Sequence, residues 1–233
     1  SEKILGNLKI EKKIITKISL PKKKVKNLKN WFSFTLKRSL KRLKVKSLHG
    51  LLIHSTSDIL SSNKDFLNFI KESKKRKLVS KIGVSVYDIT EVEKILKFWK
   101  PDIIQLPINI FDQRFLKNNL LKKIKNKRIE IYARSCFLQG ILLKNQLRMG
   151  NNKSKKIFKN FVTWCVKNRT SQLTSCLHFI KRIKEIKSIV IGFDNASQLN
   201  EIINAFNKKA ILVPNKFVNK EKRLIDPRKW SYS

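Results

Sequence analysis

The sequence predicts an α/β fold built on parallel strands, and three observations carry that prediction. Short apolar runs rich in Ile, Val and Leu recur six times along the chain. Amphipathic helical stripes lie between them, and no low-complexity linker or repeat beyond the β/α unit breaks the alternation. Such a pattern gives a parallel sheet, either doubly wound or closed into a barrel, in one domain.

The six runs fall at 13–18 (KIITKI), 48–54 (LHGLLIH), 81–85 (KIGVS), 102–106 (DIIQL), 129–133 (IEIYA) and 188–192 (SIVIG). Each is apolar through much of its length, as strands covered on both faces require. The first helical stripe is Leu28, Phe32, Leu36, Leu40 and Leu43; the next is Val92, Ile95, Leu96 and Trp99. Phe158, Phe161, Val162 and Cys165 repeat the spacing, followed by Leu173, Leu177 and Ile180, then by Leu199, Ile202, Ile203 and Phe206. Thr90 and Glu93 have the spacing of a capping box, which predicts a helix start at Thr90. Pro101 predicts that helix's end. The stretch 144–156 reads as a polar loop and 214–233 as an irregular tail.

Composition narrows the function. The 233 residues hold 54 Lys or Arg and 16 Asp or Glu, a net charge of +38. That charge attracts polyanions, but the bases are spread through every segment without a basic, aromatic-interleaved block, so only nonspecific nucleic-acid affinity is expected. No run of about eighteen apolar residues predicts a membrane span. The three cysteines, Cys136, Cys165 and Cys176, form no CxxC pair, which fits a reducing cytoplasm and no metal site. Walker, GxGxxG, HExxH and GxSxG patterns are all missing.

In a parallel sheet, functional groups gather where strands run out into loops. Here that rule selects Lys17, His54, Ser85, Gln105, Arg134 with Ser135, and Gly192 as the ends of the six runs. Five of these ends are polar after mostly apolar residues, and a buried amide such as Gln105 demands a partner.

With those ends in place, the chain resembles the aldo/keto reductases. The matching segments keep the family's order: SEKILG (1–6), ITK (15–17), LLIH (51–54), IGVSVYD (82–88), DIIQLPIN (102–109), RSCFLQGILL (134–143) and IVIGFDNASQLNEI (189–202). The resemblance implies a (β/α)8 TIM-type barrel, with about six of the eight parallel strands present and the first two missing. It implies hydride transfer between NADPH or NADH and a small carbonyl or alcohol substrate. Lys17 and His54 take the places of the family's catalytic lysine and histidine. The family's aspartate and tyrosine precede a segment that this chain enters at Ser1-Glu2, and the single methionine is Met149. The expectation is therefore a longer protein recorded without its front, or else a noncatalytic barrel remnant. The chain by itself is expected to reduce carbonyls negligibly and to dissolve poorly, its sheet edges being open.

For the cofactor, the resemblance assigns Ser85 and Gln105 to the nicotinamide carboxamide. Arg134 stands where a tyrosine often stacks on the ring, and Val86 where many members have asparagine. Ser135 and Gln139 follow the pyrophosphate. Gly192, Gln198 and Glu201 belong to the loop and helix at the adenosine ribose. No arginine or lysine is seen there and Asp194 adds a carboxylate, so NADH stays open beside NADPH.

Overall fold

A computed structural model describes residues 1–8, 13–20, 27–60 and 63–230. Six parallel strands follow chain order in one sheet, which is the α/β architecture expected of an incomplete eight-stranded barrel. The chain divides into two compact units, residues 1–105 and 106–233, where the sequence predicted one domain.

The first unit runs α1 (Glu2–Asn7), β1 (Ile15–Ile18), α2 (Leu28–Leu43), β2 (Leu48–Ile53), α3 (Thr56–Leu60), α4 (Asn63–Lys75), β3 (Val79–Ser85) and α5 (Ile89–Phe98), with β4 (Ile103–Pro107) continuing into the second. The stripe predicted for α2 is its buried face: Phe32, Leu36, Leu40 and Leu43. Asn27 caps its start by accepting from the Asn30 N–H, and Lys44 ends it in a left-handed conformation. Phe32 stacks on Phe69 of α4 with ring centroids 5.1 Å apart, and Phe66 of α4 meets Trp99 edge-on at 5.3 Å. The buried Phe32, Phe66 and Phe69 tie α2 to α4, with the half-buried Trp99 bringing in the end of α5; truncating one of the three phenylalanines costs about 3–5 kcal/mol.

The cap of α5 lies two residues before the predicted box. Asp88 is the N-cap, accepting from Thr90 N, and Glu91 reaches back to Tyr87 N at 2.6 Å. Asp88 is itself a strong capping residue and takes the position; Glu91 also accepts from Thr56 Oγ1 of α3 at 3.4 Å, a tertiary bond that local spacing does not reveal.

The second unit holds α6 (Leu120–Asn126), β5 (Glu130–Arg134), α7 (Asn152–Lys167), α8 (Gln172–Lys181), β6 (Ile186–Ile189), α9 (Ala196–Asn207) and α10 (Lys222–Ile225). Two expectations are corrected here. The polar stretch 144–156 is loop only as far as Asn151, whose side chain caps α7 by accepting from Ser154 N. The tail from 214 is irregular only in part, with short helical turns at Asn215–Phe217, Lys222–Ile225 and Pro227–Lys229. Phe217 is buried against Phe161 of α7, centroids 5.5 Å apart, which anchors that tail.

The sixth strand starts and ends earlier than predicted, at Ile186 and Ile189 rather than 188 and 192. Val190 still donates to Ala133 O at 2.7 Å, but Gly192 lies in the loop beyond and does not end the strand. Gln105 is likewise inside β4, two residues before its end at Pro107.

Candidate active site and cofactor cavity

The site residues predicted from sequence fall into two sets, one in each unit. In the first unit, β1 pairs β2 with Lys17 beside Leu52, β2 pairs β3 with Leu52 beside Gly83, and β3 pairs β4 with Gly83 beside Ile103 and Ser85 beside Gln105. Side chains alternate faces along a strand, so Lys17, Ser85 and Gln105 share one face. His54 follows Ile53, which pairs Val84, so it stands beside Ser85 on that same face. Its N–H donates to Ile18 O at 2.8 Å, keeping it on the ladder although its side chain is exposed.

Lys17 Nζ donates to Gln105 Oε1 at 2.5 Å. Gln105 and Ser85 are buried, 2% and 1% exposed, whereas Lys17 is open to solvent. The buried amide thus has the partner that its position demanded. Gly83 keeps this layer narrow: a Cβ there would lie 2.3 Å from Ile103 O.

In the second unit, Ser135, Gln139, Gly192, Gln198 and Glu201 line one cavity of about 870 Å³. Its walls come from the loops after β5 and β6 and the starts of α8 and α9. The loop after β5 is held in an uncommon shape. Ser135, Leu138 and Gln139 have φ of 61°, 47° and 54°, and Gly140 follows at 81°. Non-glycine residues adopt this left-handed region only where surroundings enforce it. Asn109 ties down the first of these residues, and sequence reasoning missed it. Its Nδ2 donates to Ser135 O at 3.0 Å while its Oδ1 accepts from Phe111 N and Asp112 N, at 2.9 and 2.8 Å. The only sequence signal was an asparagine two residues past a buried strand, in DIIQLPIN.

Arg134 ends β5 half-buried and donates from Nη1 to Ser135 Oγ at 3.2 Å. Nearby, Asp112 is fully buried and grips Arg114 through Nε at 2.9 Å and Nη2 at 2.8 Å. Desolvation pushes its carboxyl pKa up despite that partner. Cys136 also lines the cavity, but burial drives its thiol above the ordinary range, which removes it as a nucleophile.

The cavity suits a dinucleotide's phosphates in kind. Cβ atoms placed on Gly140 and Gly192 would meet nothing within 4 Å, so both glycines leave open space beside backbone N–H groups. The starts of α8 and α9, capped by Ser171 and Asn195, border it, and helix starts favour anions. Of the ten predicted site residues, the first unit gathers Lys17, His54, Ser85 and Gln105 on one sheet face. The second gathers five around its cavity, and Arg134 reaches the edge of that group through Ser135.

Among solved structures, the fold is similar to an aldo-keto reductase from Bacillus halodurans in its holo form, with a TM-score of 0.75 at 16% identity over 91% of this chain and 74% of that one. A glycerol dehydrogenase from Gluconobacter oxydans gives 0.70 at 14%, over 92% and 74%. An aldo/keto reductase from Klebsiella pneumoniae, in complex with NADP and acetate, gives 0.66 at 14%, over 92% and 72%. No curated protein matches the chain significantly. The model of the aldo/keto reductase family matches residues 3–215, nearly the whole chain. Its strand order and that match together make the chain a member of the aldo/keto reductase family.

Proposed function

We propose that the chain is a nicotinamide-dependent oxidoreductase acting on a small carbonyl or alcohol. The observation that supports this most is the Lys17–Gln105 hydrogen bond, with His54 and Ser85 on the same sheet face. When bound, NADH or NADPH supplies the hydride. Within the first unit, Ser85 and the Nε2 end of Gln105 suit its carboxamide; within the second, the backbone N–H groups of the cavity suit its phosphates. His54 donates to the substrate oxygen, and the Lys17 cation stabilises the negative charge that grows there. Gln105 then has two tasks, since its Oε1 keeps Lys17 in place.

A cytoplasmic setting goes with this reading, as all three cysteines are buried free thiols. Among the described residues, no helix is long and apolar enough to cross a membrane.

The test is nucleotide binding followed by tryptophan or nucleotide fluorescence. Saturable binding of NADH or NADPH, weakened at least about tenfold by Gln105→Leu, is expected. No saturable binding of either would end the proposal. In turnover assays with a carbonyl substrate, His54→Ala is expected to lower the rate far more than Lys100→Ala; equal effects would count against His54.

A further inference from the structure

We infer that the cavity of the second unit selects the cofactor with a free ribose 2′-hydroxyl, NADH, over the 2′-phosphorylated NADPH. This rests on the cofactor reading above and sharpens it. The argument is one of charge. Basic residues occupy 54 of 233 positions, so eighteen lining residues drawn at that frequency would include about four. The cavity has one, Lys144, against two acids, Asp194 and Glu201. In a chain of net charge +38, this lining is net negative.

A pyrophosphate tolerates such a lining, because helix starts and loop N–H groups satisfy it without cations. A further phosphate ester, with nearly two negative charges, needs an arginine or lysine of its own. The charged residues are also placed unevenly. Lys144 belongs to the wall formed by the loop after β5 and the start of α8, its carbonyl accepting from Gln172 Nε2 at 3.0 Å. Asp194 and Glu201 belong to the wall formed by the loop after β6 and α9. There Asp194 N donates to Gln198 Oε1 at 2.8 Å, which fixes that amide. Two carboxylates beside a fixed amide accept and orient ribose hydroxyls, whereas a phosphate set among them is repelled.

The experiment measures dissociation constants of NADH and NADPH for the full 233-residue chain by nucleotide fluorescence. Ionic strength is held near about 0.15 M, so that general attraction of phosphate to a basic protein is screened. NADH is expected to bind at least about tenfold more tightly. Glu201→Arg should tighten NADPH and narrow or reverse the ratio; Glu201→Gln, the milder change at this exposed position, should narrow it in the same direction. Equal or tighter NADPH binding by the unaltered chain, or a ratio unmoved by both variants, overturns the inference while leaving the cofactor reading intact. If neither nucleotide binds, the cofactor reading fails and the preference falls with it.

Discussion

Lys17 on β1 and Gln105 on β4 are bonded head to head although two strands separate them. Three strand spacings of about 4.8 Å make an arc of roughly 14 Å. Two long side chains and the bond between them cover that span, so the contact crosses β2 and β3 on the face that carries Ser85.

That bond sets the first prediction. A double-mutant cycle with Lys17→Ala and Gln105→Ala, followed by urea unfolding, should give a coupling of about 1 kcal/mol, at the modest end for a charged donor because Lys17 is solvent-exposed. Additive effects would show that the bond contributes nothing to stability.

Two glycines should behave in opposite ways. Gly83→Ala drives a methyl into the Ile103 carbonyl and should cost about 2 kcal/mol or more in urea titration. Gly192→Ala meets open space and should change stability by no more than about 0.5 kcal/mol. It should nonetheless weaken nucleotide binding several-fold, since its methyl occupies the cavity.

Much of this was legible in the sequence. Each of the six strands overlaps an apolar run, the sixth only at Ser188 and Ile189, because a strand covered on both faces must be written in Val, Ile and Leu. The helix α4 was not foreseen: its buried Phe66 and Phe69 stand among exposed Lys64, Leu67 and Asn68, too sparse a stripe for periodicity to detect. The start of α5 was misplaced because Asp88, two residues earlier, is the residue that caps it. Lys17, His54, Ser85 and Gln105 were picked out as strand ends, but only Ser85 ends its strand: Lys17 and Gln105 lie inside β1 and β4, and His54 just beyond β2. Asn109 acts on a loop twenty-six residues away, and no local pattern encodes that.

Acid should reveal Glu221. The Ser154 hydroxyl and then the Asn151 N–H, both donating to this carboxylate at the start of α7, hold its pKa below the ordinary 4.5. A lowered folded-state value means stabilisation that is complete above 4.5 and lost as pH falls through the depressed value. Melting curves of wild type and Glu221→Gln should therefore differ at neutral pH and converge in acid. A constant gap at every pH would refute this.

Salt should stabilise the chain. With net charge +38, self-repulsion opposes the compact state, and screening relieves it. The melting temperature should rise by about several degrees between 50 and 500 mM sodium chloride. Retention on a DNA column should end at moderate salt over the same range; persistence at high salt would point to a dedicated nucleic-acid surface.

The Asn109–Ser135 tie has a wider consequence. The first residue of the loop that shapes the cavity is moored by a side chain from the preceding β/α unit, not by the loop itself. Exchanging the residues farther out, toward 143, would therefore reshape the wall of the cavity while its anchor, held from another β/α unit, stays where it is.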